Sequence, residues 1–424
     1  MTTFAPGELV ELEVGAVAHG GFCVSRSLGR VCFVRHALPG EFVRARVTED
    51  RGGSFLRADA VEILTASADR VPAPCPHAGP GRCGGCDWQH ASGTAQRRLK
   101  TDVVREQFAR IARHDLPPSF EVEELPSGGP PGSGGVAAGG GLLGWRTRVT
   151  YAVGPSGGLG LHRAHSHEIE LVEACPLGAP GVGDSDALHK RWHGFNAIEV
   201  VGGTDGRTSL VGHRPSPRTS KRGRRPPDRL EHLDGPEQST FAARGRRFHV
   251  AAGGFWQVHP AALDTFAGAL LDGLAVRPGE YVLDLYAGAG ALTAFLADAV
   301  GPSGRVVGIE SSRQAVADAV GNLADVPHAA VLADQVRPEV VATTGRPDLV
   351  VLDPPRSGAG REVMRAVLDL APRAIGYVAC DPAALARDCA TAFSSGWALR
   401  SIRGFDAFPM THHIECVAIL EPAP

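Results

Sequence analysis

The 424-residue chain carries 43 Lys and Arg against 46 Asp and Glu, a net charge of -3, so any contact with nucleic acid must come from local basic patches and not from a global field. No run approaches the roughly 20 apolar residues of a membrane span, and the opening Met-Thr-Thr-Phe-Ala-Pro lacks the basic-then-apolar pattern of a signal peptide. The expectation is a cytoplasmic protein of two or three domains with no membrane partner, a monomer being favoured. Nine cysteines, odd in number and unevenly clustered, fit a metal or catalytic set better than a disulfide framework.

Residues 7–65 alternate short β-branched runs with Gly-rich turns: Glu-Leu-Val-Glu-Leu-Glu-Val, Gly-Gly-Phe-Cys-Val-Ser-Arg, Arg-Val-Cys-Phe-Val-Arg-His, Glu-Phe-Val-Arg-Ala-Arg-Val and Ala-Asp-Ala-Val-Glu-Ile-Leu. Five such runs predict a small OB-type barrel over 1–66. With His19-Gly20-Gly21 and Leu38-Pro39-Gly40-Glu41 as turns, it resembles the TRAM domain appended to RNA-modifying enzymes.

A central mixed domain is expected over 67–249, with two low-complexity insertions. Residues 126–141, nearly all Gly, Pro, Ser and Ala, cannot bury enough apolar surface to offset ordering. The second, 215–236, holds Arg218, Lys221, Arg222, Arg224, Arg225 and Arg229 against Asp228. That run suits RNA phosphates or a solvated loop.

From about 250 to 424, apolar strands alternate with helical patterns, the signature of an open parallel α/β sheet. Strands are predicted at Tyr281–Leu285, Arg305–Glu310, Ala330–Leu332, Leu349–Leu352, Gly376–Cys380 and Ile414–Leu420, and helices at 291–299, 312–323 and 382–394. Ligands of such sheets sit at the carboxyl ends of the strands.

Asp284-Leu-Tyr286-Ala-Gly288-Ala-Gly290 closes a strand and opens a helix, so backbone can approach a ligand over the helix N-terminus. A second strand ends in Glu310, placed to bond ribose hydroxyls, and the missing third glycine disfavours a dinucleotide. The loop is similar to the class I (Rossmann-like) S-adenosylmethionine version. Asp334, after the third strand, is either an adenine contact or an exposed loop acid.

Cys380 ends an apolar strand, with Asp381 as N-cap and Pro382 opening a helix, a placement that can lower a thiol pKa. A thiol that adds to an electron-poor ring, a later carboxylate at Glu415 and a nucleotide-shaped pocket are what methylation of a pyrimidine carbon calls for. Ala-Cys380-Asp-Pro-Ala-Ala-Leu-Ala-Arg-Asp resembles the Ser-Cys-Asn-Pro-x-Thr-Leu-Ala-Arg-Asp segment of RNA uracil-C5 methyltransferases. Gly-Phe-Trp-Gln-Val-His-Pro (254–260), Val-Leu-Asp-Pro-Pro-Arg-Ser-Gly (351–358) and His412-His413-Ile414-Glu415 resemble further segments of that family, so the likeness spans nearly the whole chain. It implies Cys380 as nucleophile at uracil C6, Glu415 as proton acceptor, and Gln257, Tyr286, Glu310 and Asp353 as cofactor or active-site contacts, with rRNA or tRNA as substrate. The chain departs from the family in Asp381 for Asn, in His259 for Asn, and in Ala287 and Ala291 within the glycine loop.

Cys75, Cys83, Cys86 and Cys175 supply four soft ligands, suited to a [4Fe-4S] cluster or to tetrahedral zinc, which spacing cannot separate. Cys-Gly-Gly-Cys-x-x-Gln-His and Cys175-Pro-Leu resemble the [4Fe-4S] site of the same family, although the interval from Cys75 to Cys83 is wider than usual. Cys23, Cys32, Cys389 and Cys416 have no partner pattern and are expected in the core. A radical S-adenosylmethionine enzyme is the rival reading, but its Cys-x3-Cys-x2-Cys is absent. A catalytically silent RNA-binding protein is the third.

Overall fold

The computed structural model describes residues 3–126, 141–217 and 226–424. The basic run at 218–225 and nearly all of the first insertion lie outside the described residues.

Five strands, β1 (Leu9–Glu13), β2 (Cys23–Ser25), β3 (Val31–Arg35), β4 (Phe42–Asp50) and β5 (Phe55–Thr65), form one sheet in the order β1-β4-β5-β3-β2. Alternation puts Leu12, Cys23, Cys32, Val34, Val43 and Leu56 inside, all buried. The predicted five-stranded β domain is present as one sheet, and its two cysteines are core residues.

Helix α1 (Gly93–Gln107) follows, N-capped by Ser92, whose hydroxyl accepts from the Ala95 amide at 3.3 Å. The short β6 (Val122–Glu124) comes next. Then β7 (Arg148–Val153), β8 (Leu159–His162), β9 (Ile169–Leu171), β10 (Ala197–Gly202), β11 (Thr208–Arg214) and β12 (Arg229–Asp234) make a sheet in the order β12-β11-β10-β7-β8-β9. The expectation of an insertion through 215–236 is corrected here: Arg229–Asp234 pair with β11 as an edge strand, and its mostly exposed polar side chains hide it from a hydrophobic pattern. A hairpin, β13 (Gln238–Ala243) and β14 (Arg246–Ala251), leads to the last unit.

There α2 (Ala262–Leu274), β15 (Tyr281–Leu285), α3 (Ala291–Val300), β16 (Arg305–Glu310), α4 (Arg313–Asn322), β17 (Ala329–Ala333), α5 (Pro338–Ala342), β18 (Leu349–Leu352), α6 (Arg361–Asp369), β19 (Ala374–Ala379), α7 (Pro382–Phe393), β20 (Trp397–Asp406) and β21 (Glu415–Pro422) build a doubly wound sheet. Its order is β17-β16-β15-β18-β19-β21-β20-β6, with β21 antiparallel to both neighbours. Every residue of β15, β18 and β19 is buried, as strands covered on both faces must be. Strand order reverses between β15 and β18, which opens a crevice at their carboxyl ends. The sheet is completed from far upstream, since β6 pairs parallel with β20 and Val103, Val104 and Phe108 join the same core as Leu385 and Cys389 of α7.

Candidate active site

Two clusters of polar residues lie at the carboxyl edge of this sheet. In the first, the chain leaves β15 through Tyr286, Gly288 and Gly290, all at positive φ (67°, 55° and 81°). Gly288 and Gly290 accept this without strain, whereas Tyr286 is a rare aromatic there. Glu310, at the end of β16, holds the loop: its carboxylate accepts from the Gly288 amide at 3.0 Å and the Ser312 amide at 2.7 Å. Asp284 is fully buried beneath, takes the Thr293 hydroxyl at 2.6 Å, and has its other oxygen unpartnered. Burial, reinforced by the charge of Glu310, pushes Asp284 up to about 7 despite the Thr293 bond. Asp334 follows β17 and donates its amide to the Glu310 carbonyl at 3.0 Å, but its side chain pairs with Arg337 at the surface. The structure thus brings Tyr286, Glu310 and Asp334 to neighbouring positions at the carboxyl edge of the sheet, with the Asp334 side chain turned to the surface.

Gln257 is half-buried on the segment joining β14 to α2. That segment is fastened by Val258, whose carbonyl accepts both the amide and the hydroxyl of Thr147. His259 is structural: it is buried, stacks on Trp145 at 5.8 Å, and its Nδ1 accepts from the Ala261 amide at the start of α2.

The second cluster forms where β18, β19 and β21 meet. Ala379 faces Cys416 across the β19–β21 ladder, so one further residue sets Cys380 opposite Glu415. Asp353 leaves β18 beside them, its amide bonded to the Leu285 carbonyl at 3.2 Å. Glu415 is buried with one carboxylate oxygen unpartnered. Burial raises it well above the ordinary carboxylate range, Asp353 adds to the rise and Arg356 opposes it. Asp353 is likewise raised to about 7, by desolvation and then by Asp284.

The thiol corrects one expectation. Cys380 is pushed up to about 12, first by burial and then by Glu415 and Asp353, with the charge of Arg356 opposing. It precedes the cap residue and does not head the helix, and burial together with the three nearby carboxylates Glu415, Asp353 and Asp381 keeps the proton on it. Arg356 of Asp-Pro-Pro-Arg is therefore a site residue that the sequence reading quoted but left without a role; its guanidinium also donates to His413 at 3.1 Å.

The loop between β20 and β21 is held from outside its own unit. Lys100 of α1 is wholly buried, 2.5 Å from Asp406 and 3.1 Å from the Phe408 carbonyl. Gln96 takes the Met410 amide at 2.7 Å, and the Asp87 and Trp88 amides both donate to the Met410 carbonyl. Asp87 holds His412 at 2.6 Å. Nothing in the polar sequence of α1 marks Gln96 and Lys100 as inward-facing.

Cys75, Cys83, Cys86 and Cys175 come into one another's electrostatic range. The thiols of Cys75, Cys83 and Cys86 are raised first by burial; hydrogen bonds from His77, Gly85 and Gln89 respectively oppose the rise, and the charge of Cys175 adds to it in each case. Sulfur-directed donors surround them: the Gly85 amide reaches Cys83 at 3.4 Å and the Gln89 amide group reaches Cys86 at 3.3 Å. Among the described residues, however, no group of three or more His, Cys, Asp or Glu is arranged to hold a metal ion. The predicted ligands gather without closing a metal site. Cys389 and Cys416 are buried core residues.

A doubly wound sheet with a glycine loop at its switch point, an antiparallel β21 and a separate small barrel defines a class I methyltransferase carrying an extra domain. Residues 342–423 match the tRNA (uracil-5-)-methyltransferase family, 4–61 match the TRAM domain, and 261–338 match protein-L-isoaspartate(D-aspartate) O-methyltransferase. An uncharacterized RNA methyltransferase of Streptomyces avermitilis is 48% identical, the match covering 98% of this chain and 99% of the relative. Another, of Streptomyces coelicolor, is 47% identical over 98% and 93%. The solved tRNA (uracil-54, C5)-methyltransferase of Pyrococcus abyssi, in complex with S-adenosyl-L-homocysteine, has the same fold, with a TM-score of 0.68 at 21% identity over 96% of this chain and 99% of that one. The chain belongs to the RNA uracil-5 methyltransferase family and is an S-adenosylmethionine-dependent RNA methyltransferase with a TRAM barrel. Among the described residues no helix is long and apolar enough to cross a membrane.

Proposed function

We propose that the protein methylates C5 of a uridine in rRNA or tRNA through a covalent bond between Cys380 and uracil C6. The observation that carries this is the meeting of Cys380, Glu415 and Asp353 at one sheet edge, next to the glycine-loop crevice. Uracil C5 is a weak nucleophile, so electron density must enter from C6. The Cys380 thiolate adds there, and the electron pair delivered to C5 takes the sulfonium methyl, releasing S-adenosylhomocysteine. Glu415 then removes the C5 proton, the C5–C6 double bond re-forms, and the thiolate leaves. A carboxylate desolvated like Glu415 is a stronger base than a solvated one. Tyr286, Glu310, Asp334 and Gln257 would line the cofactor crevice, Glu310 accepting ribose hydroxyls.

Glu415→Gln separates the halves of this reaction, because addition and methyl transfer need no base whereas elimination does. The variant should accumulate a methylated protein–RNA adduct and Cys380→Ala should form none. Normal turnover by Glu415→Gln would reject the assignment of the base. Mapping 5-methyluridine in tRNA and rRNA from a deletion strain assigns the RNA class.

Cys75, Cys83, Cys86 and Cys175 would hold a [4Fe-4S] cluster. What supports this is the chemistry of the donor set, four thiols with N–H donors directed at two of the sulfurs, although in this structure the four do not close on a common centre. Methyl transfer needs no electron, so such a group would staple the segments bearing Cys86 and Cys175. Anaerobically purified protein should be brown with about four irons per chain; zinc without iron would overturn this.

A further inference from the structure

The catalytic motif departs from its family at Asp381, the residue after the nucleophile, and there the barrel reaches the active site. One Asp381 oxygen caps α7, accepting from the Ala384 amide at 2.7 Å. The other lies 2.9 Å from Nε2 of His19, on the turn between β1 and β2, 362 positions away in sequence. His19 is built into this position. Its turn closes on itself through the Ala18 amide to the Phe22 carbonyl at 2.7 Å, with Gly20 and Gly21 at positive φ. Trp88 donates its indole N–H to the Gly21 carbonyl at 3.2 Å, and a Cβ on Gly21 would stand 2.9 Å from Cβ of His412. The turn therefore packs against the loop that leads to Glu415.

Asp381 is one of the carboxylates that hold the Cys380 proton, and a side-chain amide at this position would carry no such charge. Its carboxyl is held below the ordinary range against desolvation, with His19 the foremost stabilising partner, so it is ionised. His19 is raised in turn, first by its bond to Asp381 and also by the charges of Asp381 and of Glu106 on α1. The other charges that face the thiol are Glu415, Asp353 and Arg356.

We propose that His19 is a positioning residue for catalysis: it keeps the Asp381 carboxylate in its capping place and offsets its charge, so that the barrel governs attack by Cys380. This rests on Cys380 being the nucleophile. When His19 is protonated, the pair is neutral and Asp381 opposes thiolate formation least. As pH rises through the titration of His19 that help is lost, and only the hydrogen bond remains.

The test is a cycle of wild type, His19→Ala, Asp381→Asn and the double variant, scored by the rate of adduct formation on RNA carrying 5-fluorouridine at saturating RNA, from pH 6 to 9. His19→Ala should slow adduct formation about tenfold below the His19 titration, the effect of roughly one pKa unit, and less above it. In the Asp381→Asn background the same change should cost less than about twofold, and His19→Gln, which keeps a donor without charge, should fall between wild type and His19→Ala. An equal loss in both backgrounds would overturn the proposal, as would a change confined to RNA affinity. Cys380→Ala is run beside the cycle: an adduct there defeats the nucleophile assignment itself, independently of any coupling between His19 and Asp381.

Discussion

The two halves of the site are built in opposite ways. The glycine-loop half is local: Asp284, Thr293, Gly288 and Glu310 lie within one β–α–β unit and bond one another. The Cys380–Glu415 half is assembled from a distance, its loop clamped by Gln96 and Lys100 of α1, by Asp87, and by the barrel turn at His19 and Gly21. The glycine loop is thus held by its own sheet, whereas the loop leading from β20 to Glu415 is held by upstream segments as well, although the β19–β21 ladder itself sets Cys380 opposite Glu415.

Breaking the clamp should show the largest effect. Lys100→Met leaves Asp406 buried without its partner, and removing one member of such a pair typically costs about 3–5 kcal/mol. Chemical denaturation should record that loss, and adduct formation should fall by more than S-adenosylmethionine affinity does. Equal losses in both would mean that the two halves are one cooperative unit.

Acid should act on the assembled half first. His36 and His413 are held down to about 3, and His90 and His259 to about 4, all chiefly by burial. An unfolded histidine titrates near 6.5, so the unfolded chain binds more protons below that value. The stability these four contribute is fully present above pH 6.5 and is lost as pH falls from about 6.5 to about 3. The raised carboxyls of Asp284, Asp353 and Glu415 act in the opposite sense and offset part of this loss, so the histidine share is read from a variant: His90→Gln should lose less stability than the wild type as denaturation midpoints are followed over that window.

The smallest effect is expected in the local half. Thr293→Val removes the one hydroxyl bonded to buried Asp284, a loss of about 1–3 kcal/mol for an unsatisfied group. Binding of S-adenosylmethionine, followed by calorimetry, should weaken, while adduct formation on 5-fluorouridine RNA, which needs no base step, should persist with a saturating cofactor. A loss of adduct as large as that in Lys100→Met would erase the distinction between the halves.

The same difference governs what the sequence discloses. Strands β15, β16 and β18 are predicted to the residue, because each is an apolar run bounded by Gly, Asp or a charged turn. Strand β20 escapes notice, since Arg400, Ser401 and Arg403 interrupt its pattern where it lies near the sheet edge. Three-residue β6 carries no periodicity at all. Cys380, Glu415 and Asp353 stand out as candidates because the proposed chemistry calls for those residue types in a recognisable context, and the structure brings them together at one sheet edge. Lys100, Gln96 and His19 are not: their roles are set by partners about 300 or more positions away, and a helix as polar as α1 reads as solvent-facing.

The central claim is that Cys380 bonds to the target base. The most direct measurement is peptide mapping of the adduct formed with RNA carrying 5-fluorouridine and S-adenosylmethionine. Fluorine cannot be removed as a proton is, so the wild-type enzyme should stall with the methylated nucleotide attached to a single peptide, at Cys380. Attachment at another residue, or an equal yield of adduct from Cys380→Ala, would contradict it.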